Sequence, residues 1–330
     1  MRVLVTGGAG YVGGFTARHL AASGHEVTVI DDLSAGHAES APPGTLTVCG
    51  IEERARVAAL IAARRIEAVL HFAAFSSVAD SVRAPQAYWR NNVAGTLALL
   101  EAMREGGADR IVFSSTAAVF GETAEMPLAE SAALAPESPY ATTKLAVERM
   151  LGDFARAYGL RHVALRYFNA AGASANGAHG EHHEPETHLV PILLQTLLGL
   201  RERVTVYGDD FATPDGTCIR DYVHVDDLAD AHTRALDWTA RAPAGAGEAI
   251  NLGTGTGHSV LEVIRAAERV TGKRLPFEIG PRRPGDTARL VAGLAKAERV
   301  LGWRPRTDLD QILASAWEWH RNQPRGYTRE

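Results

Sequence analysis

The sequence predicts an α/β fold: a doubly wound parallel sheet with helices on both faces and a smaller C-terminal α/β part. Three observations predict it. Short runs of β-branched and aliphatic residues alternate with stretches of helical period through the first half of the chain, the rhythm of βαβ units around a parallel sheet. The first run, Arg2-Val-Leu-Val-Thr6, closes on Gly7-Gly-Ala-Gly10-Tyr-Val-Gly13 as a helical stretch begins. After Phe168 the rhythm stops, and segments rich in Gly, Pro and His separate the remaining elements.

In order, strands are expected at 2–6, 26–31, 46–49, 68–73, 110–115 and 162–168. Their apolar residues are mostly consecutive, as strands covered on both faces require. Helices are expected between them at 13–23, 52–64, 88–105 and 138–158. Residues 169–187 read as a long irregular segment. An apolar helix at 189–200, a strand at 204–207, the turn-rich 208–216, a strand at 248–252 and a loop at 282–286 follow. Long loops in a compact enzyme usually carry binding work. The expected division is a nucleotide-binding part near 1–168 plus 220–256, and a substrate-binding part near 169–219 plus 257–330.

Composition narrows the function. The 330 residues carry a formal net charge of −5 with acids and bases interspersed. No basic tract or aromatic-interleaved patch offers a nucleic-acid footprint. No apolar run approaches the ~20 residues of a membrane span. Cys49 and Cys218 are far apart and fit a reduced interior. With an apolar strand beginning at once and no secretory pattern before it, the expected location is cytoplasmic.

Gly7, Gly10 and Gly13 sit between a strand and a helix, the setting of a dinucleotide cradle in a Rossmann-type sheet. Gly7 permits the tight turn, Gly10 admits a pyrophosphate to the backbone, and Gly13 lets helix and strand pack closely. Asp31 ends the second expected strand, where a carboxylate binds a ribose diol and repels a 2′-phosphate; Asp32 can share that role. NAD is therefore favoured over NADP.

A second motif carries the chemistry. Ser138-Pro139 starts a helix, placing Tyr140 and Lys144 one turn apart on one face. A phenol with a pKa of about 10 is a poor base at neutral pH. A nearby ammonium and a positive nicotinamide ring are expected to draw it down. Ser114-Ser115-Thr116 ends another strand, where a hydroxyl can hold a substrate oxygen while Tyr140 takes its proton.

These residues carry a resemblance. Thr6–Gly13, His71-Phe-Ala-Ala74, Asn91-Asn-Val-Ala-Gly-Thr96, Phe113-Ser-Ser-Thr116 and Tyr140-x-x-x-Lys144 resemble the extended short-chain dehydrogenase/reductases. Arg166-Tyr-Phe-Asn169, the run from Thr213 to His224, and Pro281-Arg-Arg-Pro-Gly-Asp286 are similar to the UDP-glucose 4-epimerases in particular, almost end to end. The resemblance implies a tightly held NAD and interconversion of UDP-glucose and UDP-galactose through a transient 4-keto sugar. It implies a catalytic set of Thr116, Tyr140 and Lys144. Tyr11, Val12, Phe72, Ala73, Asn91, Ser114 and Phe168 would line the cofactor. Asn169, His188, Leu189, Tyr207, Arg220, Arg283 and Asp286 would hold the uridine diphosphate and sugar; the arginines suit a diphosphate on chemical grounds too. A homodimer paired through helices 88–105 and 138–158 is a further implication.

Departures from the family pattern stand out. Cys49-Gly50-Ile51 lacks the aspartate expected near the adenine. Ser76 replaces a lysine, Phe120 a tyrosine, and His188 an asparagine, while Leu290 stands where a tyrosine or a smaller residue sets the sugar range. Epimerisation of N-acetylated UDP-hexoses or of UDP-glucuronate is the alternative within the class, and a non-catalytic sensor of NAD or nucleotide sugar is the alternative outside it. Ala117-Ala118 after Thr116 cannot move a proton, which argues against a 4,6-dehydratase. His179, His182, His183 and His188 occupy the irregular segment without helical pairing or a cysteine cluster, so solvated loop histidines and no metal are expected.

Overall fold

The computed structural model describes residues 1–121, 126–283 and 285–327; Pro284, in the expected 282–286 loop, lies outside them. The first six strands are β1 (Arg2–Thr6), β2 (Glu26–Asp31), β3 (Leu46–Val48), β4 (Ala68–His71), β5 (Arg110–Thr116) and β6 (Arg161–Tyr167). Then come β7 (Asn169–Ala171), β8 (Val204–Tyr207), β9 (Ile219–His224), β10 (Gly247–Leu252), β11 (Gly257–Ser259), β12 (Phe277–Gly280) and β13 (Arg289–Leu290). A seven-stranded sheet runs β3-β2-β1-β4-β5-β6-β10, parallel throughout. The strand order reverses between β1 and β4, and a ligand crevice opens at the carboxyl ends there.

Successive residues explain the unbroken apolar runs. Val3, Val5, Leu70, Val112 and Leu165 pack on one face against Ala17 and Leu20 of helix Tyr11–Ala22 and Leu228 and Ala235 of helix Val225–Arg241. Leu4, Val69, Ile111 and Phe113 face the other way. They meet Val57 and Ile61 of helix Arg54–Arg64, Leu99 and Met103 of helix Gly95–Gly106, and Val147 and Leu151 of helix Pro139–Tyr158. Each fully buried Leu, Ile or Val contributes about 1.5–3 kcal/mol by removal from water.

Two expectations need correction. The helix expected at 88–105 is three pieces: Pro85–Tyr88, a π-helical turn Trp89–Ala94, and Gly95–Gly106. Such wide turns recur at functional sites, and this one carries Asn91 and Asn92. The segment expected to be irregular at 169–187 opens with β7, and unexpected strands β9, β11 and β13 join it in a second sheet: β9 lies between β11 and β13 and also pairs β7. Of residues 220–256, β9 belongs mainly to this second sheet, whereas helix Val225–Arg241 and β10 pack with the first. Asp221 explains why β9 tolerates a buried charge. Its carboxylate accepts from Thr254 N and Oγ1, Gly255 N and Ala292 N, tying the two loops beyond β10 and β13 to the strand.

Candidate active site

The glycine turn is built for close approach. Gly7 has φ +71, and a Cβ there would sit 2.5 Å from Ala73 N. A Cβ at Gly13 would lie 2.2 Å from Gly7 O, whereas one at Gly10 would meet only Gly7 O, at 3.3 Å. Gly10 precedes helix Tyr11–Ala22 without any side-chain cap. The first-turn amides therefore remain available to an anion, aided by the helix dipole. Asp31 accepts from Ala9 N at 3.0 Å and Leu33 N at 2.9 Å; a carboxylate has further lone pairs for a diol.

One cleft gathers most of the expected residues: Gly7, Gly10, Tyr11, Val12, Gly13, Asp31, Asp32, Phe72, Ala73, Asn91, Ser114, Thr116, Tyr140, Lys144, Phe168, Asn169 and His188. Asn169 Oδ1 is buried there without a hydrogen-bond partner. Five expected residues are not among its walls. Arg220, Asp286, Arg283 and Tyr207 form two contacts of their own: Arg220 pairs with Asp286 at 3.3 Å, and the Arg283 guanidinium lies 3.8 Å from the Tyr207 ring centroid. Leu189 packs with the core of the second part. The second sheet links these residues to the cleft, because Asn169 on β7 is opposite Tyr222 on β9 and Arg220 of β9 is opposite Leu290.

Ser138 caps the catalytic helix, its Oγ accepting from Ala141 N at 3.2 Å, with Pro139 in the first turn. Tyr140 and Thr116 line the same cleft, and the Thr116 hydroxyl favours the phenolate. Lys144 Nζ donates to Ser114 O at 2.8 Å and lies 5.9 Å from the Tyr140 ring centroid. Burial pushes the Tyr140 phenol up to about 12, against the Thr116 hydroxyl, which lowers it. Burial also pulls Lys144 down to about 7, opposed by Glu148. In the protein alone desolvation wins at both groups, before any nicotinamide charge is present.

Several supporting roles escaped sequence reasoning. Glu148, one turn beyond Lys144, accepts from Arg166 Nε at 2.9 Å and Nη2 at 2.6 Å, and from Ser115 Oγ at 2.5 Å. This buried fork bolts the catalytic helix to β5 and β6. Asn92 accepts from Phe75 N and donates to Phe75 O and Thr143 Oγ1. His71 bridges Thr6 Oγ1 at 2.7 Å and Thr96 Oγ1 at 2.8 Å. Its i+3 or i+4 neighbours give no periodic signal; only the His71-Phe-Ala-Ala74 motif marked the position.

Comparison with known proteins decides the family. The model of the NAD dependent epimerase/dehydratase family matches residues 3–253. The chain belongs to that family. It is 47% identical to the UDP-glucose 4-epimerase of Halalkalibacterium halodurans, over 100% of this chain and 98% of that one. Its fold is similar to the crystal structure of a UDP-glucose 4-epimerase from Stenotrophomonas maltophila with bound NAD and formylated UDP-arabinopyranose: TM-score 0.95, 42% identity, 98% of this chain and 99% of that one. The enzyme from Brucella ovis in complex with NAD matches with TM-score 0.93 and 44% identity, over 96% of this chain and 97% of that one.

Within the epimerase/dehydratase family the departures now have positions. A Cβ on Gly50 would collide with the Glu52 carboxylate at 2.3 Å, and both residues line the cleft. Glu52 thus folds back to restore a carboxylate where the 49–51 run lacks one. Ser76 also lines the cleft. Phe120 and Leu290 pack together with Phe168 in a small apolar cluster, so Leu290 supports a wall of the cleft from behind Phe168. The expected solvated histidines are partly corrected. His183 lies within 3.6 Å of carboxylate oxygens of Glu181 and Glu186, and His188 within 3.0 Å of both. Burial alone would lower both histidines; those carboxylates instead raise His183 to about 9 and His188 to about 10.

Proposed function

We propose that this protein is an NAD-dependent 4-epimerase that interconverts UDP-glucose and UDP-galactose. The observation that carries the reading is Thr116, Tyr140 and Lys144 gathered in the same cleft as the glycine cradle. The uncapped helix start at Gly10, Asp31 and the crowded Gly7 and Gly13 fit a dinucleotide. NAD, when bound, supplies an acceptor that takes hydride from the sugar C4 and gives it back, together with a positive ring charge.

The chain's own residues do the rest. Thr116 positions the C4 oxygen, and Tyr140 takes its proton and later returns it. With its phenol at about 12, Tyr140 keeps that proton until positive charge enters the cleft, which couples deprotonation to an oxidised cofactor. Lys144, anchored on Ser114 O, adds charge beside the nicotinamide ribose. Ala117 and Ala118 offer no acid or base, so the 4-keto sugar is not diverted to elimination. Arg220, Arg283, Tyr207 and Asp286, with Leu189 and His188, hold the uridine diphosphate, and Asn169 presents an unpaired carbonyl oxygen to the sugar nucleotide. In this reading the first part of the chain carries NAD and the second the sugar nucleotide.

A homodimer is part of the proposal, supported by exposed Val78, Val82, Trp89, Leu97 and Tyr158 on the helices at that flank. A cytoplasmic location is supported by two free cysteines, Cys49 and Cys218. Among the described residues no helix is long and apolar enough to cross a membrane. The test is conversion of UDP-galactose to UDP-glucose by purified protein without net consumption of nicotinamide cofactor. Tyr140→Phe should lower turnover about 10²–10⁴-fold with an unchanged circular dichroism spectrum. Near-normal turnover in that variant refutes the assignment, and absence of conversion in the parent favours the sensor reading.

A further inference from the structure

We infer that His37, His182 and Tyr327 form a clasp across the dinucleotide cleft that sets how fast NAD leaves it. The inference rests on the NAD site described above. The three residues come from distant stretches of the chain and meet as rings. His37 stacks on His182, with 4.4 Å between ring centroids and 15° between planes. The Tyr327 ring lies 5.1 Å from that of His37. All three line the cleft that holds the glycine cradle. The contact therefore joins the loop after β2 to residues 180–183 and to the segment beyond helix Leu309–Asn322.

Each ring is fixed from behind. His37 N donates to Ala9 O at 2.8 Å, and Ala9 N donates to Asp31, so the His37 ring is tied to the cradle itself. Across the cleft, Tyr327 N donates to His182 Nδ1 at 3.2 Å. That bond uses Nδ1 as an acceptor, the neutral form of the ring, so no charge on His182 opposes the stack. Trp319 supports Tyr327 at 4.8 Å between ring centroids and donates Nε1 to Glu181 O at 3.0 Å. Two glycines permit the close approach. A Cβ on Gly180 would sit 2.3 Å from Trp319 Cγ, and one on Gly326, whose φ is +68, 2.3 Å from His182 Cγ.

The anchoring shows which part of the cofactor is held. The amides after Gly10 suit the pyrophosphate and Asp31 the adenosine ribose, so a clasp bonded to Ala9 stands beside the adenosine half. Stacked rings attract beyond the area they bury, and His37 is 9% exposed, which leaves water little access to the stack. With the two walls joined there, the adenosine half leaves once the rings part. A 4-epimerase has to keep the cofactor that took hydride until hydride is returned, and a clasp that slows release meets that need.

The full-length protein is loaded with radiolabelled NAD, and loss of label against excess unlabelled NAD gives the release rate. Tyr327→Ala and His37→Ala open the clasp from opposite walls, and each should speed release about 10-fold. The double variant should be no faster than either single one, because one contact cannot be opened twice. Tyr327→Phe keeps the ring and should release near the parent rate. Circular dichroism verifies each fold, and His37→Ala carries the test if Tyr327→Ala does not fold. Release unchanged in a folded alanine variant, Tyr327→Phe as fast as Tyr327→Ala, or single effects that multiply to about 100-fold in the double variant overturns the clasp. A parent that binds no NAD overturns the cofactor site with it. A parent with the expected release rates that does not convert UDP-galactose leaves the clasp standing and removes the epimerase reading.

Discussion

His71 ends β4 immediately before Phe72 and Ala73 of the cofactor cleft, and its protonation state can be derived from its partners. Thr96 Oγ1 donates to Asn92 O at 2.6 Å, so it accepts from His71 Nε2–H. Nδ1 is then the acceptor of the Thr6 hydroxyl, and the ring is neutral. Burial, with the Lys144 charge adding to it, pulls its pKa from 6.5 to about 3. A depressed histidine costs nothing above 6.5, where both states are neutral. Below 6.5 the unfolded chain takes up a proton that the folded one refuses until about pH 3, so stability falls with pH. At 1.36 kcal/mol per pH unit, the loss from pH 6.5 to pH 5 is about 2 kcal/mol. Other groups titrate in the same window, so the reading is a difference. His71→Gln removes this one titration and lowers stability at pH 7, yet the gap between parent and variant should narrow by about 2 kcal/mol on going to pH 5. Urea unfolding followed by circular dichroism at constant ionic strength measures it. A gap that stays constant across the window refutes the neutral buried ring.

Three further outcomes test the supports of the cleft. Glu148→Gln leaves the buried Arg166 guanidinium with a neutral partner, and should cost about 3–5 kcal/mol in urea unfolding; a loss under about 1 kcal/mol would show the fork to be dispensable. Glu52→Gln should speed NAD release in a stopped-flow displacement assay while leaving the thermal unfolding of the cofactor-free protein unchanged; an unaltered release rate removes Glu52 from the adenine end. Leu290→Ala trims the partly buried edge of the cluster beneath Phe168, costing about 1–2 kcal/mol and raising the ratio of turnover on UDP-N-acetylglucosamine to that on UDP-glucose. A ratio that does not move shows that Leu290 does not set the sugar range.

Local signals made the first sheet legible and the second one obscure, for a physical reason. β1 and β2 fall on the expected residues because a strand buried on both faces has little choice but consecutive Val, Ile and Leu. The cradle was legible because Gly7 and Gly13 answer to steric demands that no other residue meets. β9 reads Ile-Arg-Asp-Tyr-Val-His, and its charges make sense only through partners 33 to 71 residues away on the loops that Asp221 gathers. The π-helical turn at Trp89–Ala94 is equally invisible locally, since no Gly or Pro marks it and Asn92's bonds to Phe75 and Thr143 reach distant segments. The histidine loop is the sharpest case. Spacing alone gave no helix-borne pair, because the ion-paired geometry comes from an irregular backbone that folds Glu181 and Glu186 inward beside His183 and His188. What sequence could not supply was therefore the same in each instance: the identity of a distant partner that turns an isolated polar residue into part of a site.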